Sequence, residues 1–333
     1  MSSHLLRNIS NHFLVSQLKP ALFALGGFFY VLLGGCATAP QISEILVDPQ
    51  LQAQTRLELS QVPFNPQTEY QCGPAALATL LQHKDLDISP QQLAPSVFLP
   101  GKKGSLQVEL IATTRRLGMH PYVIDNNLQT LLREVKAGNP VLVLQNLGLS
   151  WLPQWHYAVV VGYDLKRQVV ILRSGKQKRK VADLSLFEKT WARADYWGMV
   201  AVPLQTIPAS ATPHRYLVSV LAFEKLKQWQ LAIRAYEAGI KYWPDNNPLQ
   251  MALGNVFYQS GAIDKAEKQF RRTLLQSPIY APAMNNLAQI LLEKNQLDEA
   301  LQWAKQAVDQ AREQLASSVG ARASELIFTS GAT

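Results

Sequence analysis

Cysteine is scarce in this chain, where only Cys36 and Cys72 occur among 333 residues. Two cysteines are too few for a disulfide-rich scaffold or for a zinc ribbon, which needs four sulfur or imidazole ligands. Charged residues make up only 17% of the chain and hydrophobic residues 47%, a balance that excludes a mostly disordered protein. The net charge of +8 favours acidic surfaces weakly and does not indicate nucleic-acid binding.

Motifs for common cofactors are also missing from the sequence. It contains no glycine-rich phosphate loop, no helix with paired metal-binding histidines and no serine elbow. We therefore expect no metal, no nucleotide, no haem and no other cofactor. The length of 333 residues predicts two domains.

Acidic residues are absent from the first 43 positions, where Arg7 and Lys19 precede an apolar run over residues 21–33. This layout is typical of a secretory signal, because the run is short for a membrane-spanning helix of about 20 residues. The run ends in Leu33-Gly34-Gly35-Cys36, which resembles the lipobox of bacterial lipoproteins. An uncleaved signal anchor with an incidental cysteine is the alternative.

The lipobox resemblance implies that residues 1–35 are removed and that Cys36 is acylated, which would hold the protein on a membrane. Ala37 follows Cys36, so the resemblance implies export to the outer membrane of a two-membrane bacterium, facing the periplasm. Residues 36–57 are predicted to be a polar tether. Acylation of Cys36 would leave Cys72 as the only thiol, whereas a Cys36–Cys72 disulfide is the competing account.

The C-terminal third repeats with a period of 34 residues. A shift of 34 superimposes an aromatic or leucine position, an alanine position and a proline position: Phe223, Phe257 and Leu291; Ala232, Ala266 and Ala300; Pro244 and Pro278. This pattern resembles the tetratricopeptide repeat, in which small residues let two helices approach closely. We predict three repeat units and a capping helix over residues 213–328. The repeats indicate binding of a protein partner, or packing against the neighbouring domain.

Residues 58–205 are predicted to form an α+β domain. Helices are expected over 73–81, from Ser105 as N-cap to Leu117, and over 128–136. Apolar runs predict strands over 141–144, 156–163, 169–172 and 197–202, the second of them central because it is apolar on both faces. Helices followed by antiparallel strands indicate the α+β class.

Cys72 and His156 carry the chemical hypothesis. Cys72 precedes the first helix of this domain, where the positive end of the helix dipole favours a thiolate, which is the form that attacks a carbonyl. A histidine must then accept and return the proton. His83 lies roughly 16 Å along the same helix and cannot do so. His156 opens the central strand, where a rigid sheet could direct it at the helix start.

The segments 67–81 and 155–164 resemble the papain-like peptidases that remove double-glycine leaders from bacteriocins. They are still more similar to lipoprotein relatives that join such a domain to tetratricopeptide repeats. This resemblance implies a papain-like fold with Cys72 as nucleophile, His156 as base and Gln67 as oxyanion donor; Gln71 is a second candidate donor. The family usually has an aspartate one strand beyond the histidine, and this chain has Ser174 there as a possible third member.

Three functions remain open from the sequence. The first is a membrane-anchored cysteine peptidase acting on a peptide or protein, with repeats that bind a protein partner. The second is a weak or inactive site that only binds peptides, in which Cys72 is a small buried side chain. The third is an acyltransferase or amidase that uses the same two residues. Trp151 and Trp155 are expected to form a substrate wall or to cover the core, and the basic stretch 166–180 a solvated hairpin.

Overall fold

An antiparallel sheet of seven strands organises the first half of the protein. The structure is a computed structural model and describes residues 40–67, 71–102 and 104–330. The signal and lipidation site predicted for residues 1–36 lie outside the described residues. The strands of the sheet are β1 (Arg56–Glu58), β4 (Met119–Val123), β5 (Val141–Asn146), β6 (Trp155–Asp164), β7 (Val169–Ser174), β8 (Gln177–Asp183) and β9 (Gly198–Pro203).

Strand β6 lies in the middle of this sheet, as its two apolar faces predicted. The strand order is β4-β9-β5-β6-β7-β8, and β1 pairs with the second half of β6. Every pairing in the sheet is antiparallel. Strands β4 and β8 were not predicted. Both are edge strands, β4 carries Pro121 and β8 is mostly exposed, so neither gives an apolar run.

Helices cover both faces of the sheet, which therefore has a hydrophobic core on each side. Side chains of β6 alternate between the cores: Ala158 and Val160 belong to one, Tyr157 and Val159 to the other. The first core is covered by α1 (Ile42–Val47), α2 (Pro49–Gln52), α6 (Leu128–Lys136) and α7 (Leu184–Ala192). The second is covered by α3 (Cys72–Gln82), α4 (Pro90–Val97) and α5 (Gln107–Arg116).

The tether predicted over residues 36–57 is wrong for the part that the structure describes. Ile45 and Leu51 have no exposed surface and belong to the first core. Asp48 caps α2 and forms an ion pair of 2.9 Å with Arg133. Because β1 also adds to the sheet, residues 42–58 are part of the domain and do not hold it away from another body.

The prediction that Ser105 caps a helix is also wrong. Helix α5 begins at Gln107 with Leu106 as N-cap, and no side chain caps it. Ser105 instead ends β3 (Gly104–Ser105), which pairs with β2 (Phe98–Leu99) beside the short 3-10 turn Pro100–Lys102. A Cβ atom on Gly73 would lie 2.3 Å from Ser105 Oγ, so this ribbon packs directly on the first turn of α3.

The repeats form three helical hairpins. Their helices are α8 (Pro213–Lys225), α9 (Trp229–Tyr242), α10 (Asn247–Gln259), α11 (Ile263–Gln276), α12 (Ala281–Glu293) and α13 (Leu297–Ser330). No separate capping helix follows α13 among the described residues, because α13 runs unbroken through the segment where a cap was predicted. Within the described ranges, no helix is both long and apolar enough to cross a bilayer.

A buried joint connects the sheet to the first repeat. His120 of β4 has no exposed surface, and its Nε2 atom lies 2.7 Å from Ser219 Oγ of α8. The His120 ring also contacts Tyr216 and Phe223 edge-on. Burial, together with a smaller effect of the Arg115 charge, lowers the pKa of His120 to about 3. His120 is therefore a structural residue of the joint.

Candidate active site

Cys72 is the first residue of α3, with Gln71 at the N-cap position. Pro74 follows in the first turn, where a missing backbone N–H is tolerated because it would have no partner within the helix. The thiol is partly buried and is not in a disulfide. The backbone N–H groups of Cys72 and Gly73 face the sulfur and stabilise its thiolate. The start of α3 thus presents Cys72 as a possible nucleophile.

The Cys72 sulfur also faces the sheet, where the backbone of Tyr157 is its neighbour. Leu144, which is opposite Tyr157 on β5, donates its N–H to Trp197 instead. Tyr157 therefore turns its N–H and carbonyl away from β5. That N–H faces the Cys72 sulfur and stabilises its thiolate. Because the Tyr157 nitrogen is bonded to the carbonyl carbon of His156, the sulfur lies against the peptide group that joins these two residues.

His156 is the second residue of β6, at the end of the sheet nearest Cys72. Its Nε2 atom lies 2.9 Å from Ser174 Oγ on β7. In the tautomer that donates Nε2–H to Ser174, Nδ1 carries the lone pair that a general base needs. Burial, together with a smaller effect of the Lys180 charge, lowers the pKa of His156 to about 4. The ring is therefore neutral at pH 7.

Gln67 ties the loop before α3 to the end of the sheet. Its backbone N–H donates to Gly175 at 3.0 Å, and its Oε1 atom accepts from the Gly175 N–H at 2.9 Å. Its Nε2 group donates to the Tyr157 carbonyl at 3.0 Å. Nε2 has two hydrogens, so one remains for an oxyanion. Gln67 thus continues the hydrogen bonding between β7 and β6 at the point where Cys72 faces Tyr157. Its role in the folded domain is therefore structural, whatever its role in catalysis.

The Cys72 thiol does not have the lowered pKa that its position at a helix start predicts. Burial raises this pKa above its ordinary value, and the N–H groups of Tyr157, Gly73 and Cys72 only partly offset the increase. The pKa of His156 moves in the opposite direction. Both shifts favour the neutral forms of the thiol and the imidazole over a thiolate–imidazolium ion pair.

Residues 59–199 match the Peptidase_C39 like family, and the tetratricopeptide repeat matches twice, over 217–274 and 251–314. The chain is a C39-peptidase-like domain followed by tetratricopeptide repeats. The papain-like α+β class and the helical repeat region predicted from the sequence are thereby confirmed. The C39-like match covers strands β4 to β8, α3, Cys72, His156 and Ser174, and it leaves out β1 and most of β9.

Individual proteins match parts of this chain. FlbA from Caulobacter vibrioides is 32% identical over 91 residues, which are 27% of this chain and 15% of FlbA. The crystal structure of a C39-like peptidase from Bacillus anthracis is 19% identical and has a TM-score of 0.38, covering 44% of this chain and 97% of that one. The crystal structure of MamA is 22% identical with a TM-score of 0.30, covering 31% and 61%.

Two other titratable side chains of the C39-like domain lie away from Cys72. His83 Nε2 donates to the Gly138 carbonyl at 3.1 Å, and Asp164 accepts from the Arg167 N–H at the far end of β6. Gln71 remains the alternative donor, at the N-cap of α3. Among the residues described, no three His, Cys, Asp or Glu side chains are grouped as a metal site would require.

Tyr157 is the contributor that the sequence analysis missed. Its N–H faces Cys72, its carbonyl accepts from Gln67, and its hydroxyl donates to the Ser105 carbonyl at 3.1 Å. The ring packs edge-on against Trp197 at 6.0 Å. A tyrosine directly after the candidate histidine was visible in the sequence, but the backbone contacts depend on strand pairing and gave no signal there.

Proposed function

We propose that the C39-like domain is a cysteine peptidase that cleaves peptide bonds with Cys72 and His156. The supporting observation is that the N–H of Tyr157, the residue directly after His156, is directed at the Cys72 sulfur. His156 Nδ1 removes the thiol proton as the sulfur attacks the peptide carbonyl, and the proton then passes to the leaving amine. Water hydrolyses the resulting thioester and regenerates the thiol.

Oxyanion stabilisation is assigned in this proposal to the Cys72 N–H and the second Gln67 Nε2 hydrogen. Removal of one such donor typically lowers kcat by about 100- to 1,000-fold. Ser174 positions the His156 ring in the tautomer that leaves Nδ1 unprotonated. A serine stabilises an imidazolium less than a carboxylate does, which favours a slow enzyme.

Tetratricopeptide repeats generally bind protein partners, and we propose that this chain binds one in a groove between α10 and α12. A cavity of about 160 Å³ there is lined by Asn255, Tyr258, Phe270, Asn285, Asn286 and Gln289. Asn286 donates to Asn255 at 2.8 Å, which links the two helices through amide side chains. Amide groups can both donate to and accept from a peptide backbone.

We also propose that the protein is exported and is anchored through acylated Cys36 to the outer membrane, facing the periplasm. This part of the proposal rests on the sequence of residues 1–36. In metabolic labelling with a palmitate analogue, the full chain should incorporate label and Cys36→Ser should not. Equal labelling of both proteins would refute the anchor.

The catalytic proposal is tested by incubating the full chain with a library of proteome-derived peptides and identifying new termini by mass spectrometry. Cleavage by the wild type, lost in Cys72→Ala and in His156→Gln but retained in His83→Gln, is the expected result. A wild type that binds library peptides without cleaving them would establish the peptide-binding alternative. Modification by an electrophilic thiol probe with no cleavage of any peptide would favour an acyltransferase or amidase.

A photo-reactive residue tests the groove. Placed at Asn285, it should cross-link to one discrete polypeptide in cells, whereas the same residue at Gln302 on α13 should not. Identical products from both positions would contradict binding in the groove.

A further inference from the structure

The connection between β5 and β6 exposes a group of large apolar side chains. Trp151 is 78% exposed, Leu152 58% and Trp155 55%, and Leu147 and Leu149 are exposed as well. The segment from Asn146 to His156 contains no charged residue. Apolar side chains concentrated in this way on a protein surface mark an interaction site. We call residues 147–155 the apolar hairpin.

Hydrogen bonds hold the apolar hairpin in a fixed shape. Leu149 and Leu152 exchange backbone hydrogen bonds of 3.2 Å across its tip. The Asn146 Oδ1 atom accepts from the Gly148 and Gln154 N–H groups, both at 2.9 Å. A Cβ atom on Gly148 would lie 2.4 Å from the Leu152 carbonyl oxygen, so only glycine fits this close approach. The exposed side chains are thus presented by a rigid support.

A basic hairpin lies at the same end of the sheet. β7 ends at Ser174, whose side chain contacts His156, so the turn from β7 to β8 is next to the base of the apolar hairpin. This turn and the start of β8 carry Lys176, Lys178 and Lys180. None of these lysines forms an ion pair with a described residue.

We propose that the apolar hairpin inserts into the interface of an anionic lipid bilayer, with Lys176, Lys178 and Lys180 against the headgroups. Tryptophan is favoured at the membrane–water interface, and lysines are attracted to anionic lipids. Leu149 and Leu152 pair their backbone N–H and carbonyl groups with each other at the tip, which lowers the cost of placing those groups in an apolar medium. Because His156 directly follows the hairpin, insertion places the Cys72 site at the lipid surface. The proposal holds whether or not Cys72 is catalytic.

Brominated lipid, which quenches tryptophan in the bilayer, tests this directly. The full chain is reconstituted into vesicles of phosphatidylglycerol and phosphatidylcholine with brominated or ordinary acyl chains. The fluorescence of Trp151, measured as the difference between the wild type and Trp151→Phe, should be largely quenched in the brominated vesicles. The emission removed by Trp303→Phe, a half-buried tryptophan of the repeats, should not be quenched. This comparison is independent of any anchor near the N-terminus. Equal quenching of the two contributions would overturn the proposal.

The lysines are tested in the same vesicles. Lys176, Lys178 and Lys180 changed together to Gln should reduce Trp151 quenching in anionic vesicles, since each lysine near such a surface strengthens binding by roughly five-fold. The matched change of Lys225, Lys241 and Lys305 in the repeats should have no effect. If a peptide or a second copy of the chain covers the hairpin instead, brominated lipid will not quench Trp151 and the proposal fails.

Discussion

His156 Nε2 lies 2.9 Å from Oγ of Ser174, the third member predicted from the sequence, which stands where the family that this domain resembles usually has an aspartate. Arg173, the residue before Ser174, cannot take the place of the aspartate. Its buried guanidinium donates to the carbonyls of Ser60, Val62 and Lys178. A hydroxyl can orient the imidazole but does not supply the negative charge that stabilises its protonated form.

Replacing Ser174 with Asp should therefore raise the pKa of His156 from about 4. A carboxylate within hydrogen-bond distance typically shifts a partner's pKa by about 1–3 units toward the charged form. NMR titration of the His156 ring, assigned with His156→Gln, measures the change. Ser150→Asp introduces the same charge in the exposed apolar hairpin and should shift this pKa much less. Equal shifts in the two variants would mean that Ser174 does not contact the ring in solution.

The Cys72 thiol should react slowly at neutral pH. Burial raises its pKa, so the alkylation rate in Cys36→Ser should rise with an apparent pKa at or above the ~8.5 of an ordinary cysteine. The measurement is the rate of iodoacetamide labelling between pH 6 and 10, with the urea-unfolded chain as the reference. A labelling pKa well below that of the unfolded chain would show that a thiolate–imidazolium pair forms without substrate.

His120 should make the protein less stable in acid. Its pKa is about 3 in the folded chain and about 6.5 when unfolded, so only the unfolded chain binds this proton between those values. The contribution of His120 to stability is therefore complete above pH 6.5 and is lost as the pH falls toward 3. At 1.36 kcal/mol per unit the loss is at most about 5 kcal/mol.

Denaturant unfolding at a series of pH values between 3 and 7 checks this. His120→Gln alters the contact with Ser219, so it should lower the free energy of unfolding at pH 7. It should also flatten the dependence of that free energy on pH. His214→Gln, at an exposed position of α8, serves as the control. If both variants retain the wild-type slope, the joint does not bury a neutral histidine.

Gly73→Ala should destabilise the domain, because the new Cβ atom would lie 2.3 Å from Ser105 Oγ and 2.5 Å from Ser105 Cβ. Overpacking of this kind costs about 1–3 kcal/mol. Adding Ser105→Gly removes both clashing atoms and should restore part of the loss, measured by thermal unfolding. Gly101→Ala is the control, since no atom lies within 4 Å of its added Cβ. Additive effects of Gly73→Ala and Ser105→Gly would contradict the contact.

Much of the fold was predictable because its signals are local and periodic. The 34-residue repeat predicted the helical hairpins, and an apolar run that opens with His156 predicted a central strand. Segments without such signals were missed or misassigned. The helices around Ile45 and Leu51 span six and four residues, too short to show a helical period, and their burial comes from distant strands.

Local signals in the sequence predicted the two-part architecture, the order of the strongly patterned elements and the placement of Cys72 at the start of a helix. These follow from apolar period, proline and glycine positions, which act within a few residues. Tertiary packing raises the pKa of the Cys72 thiol, because burial by distant segments outweighs the effect of the helix N-terminus. It also placed Ser174 beside His156 and Gln67 on the Tyr157 carbonyl, since both contacts depend on how strands pair across the sheet.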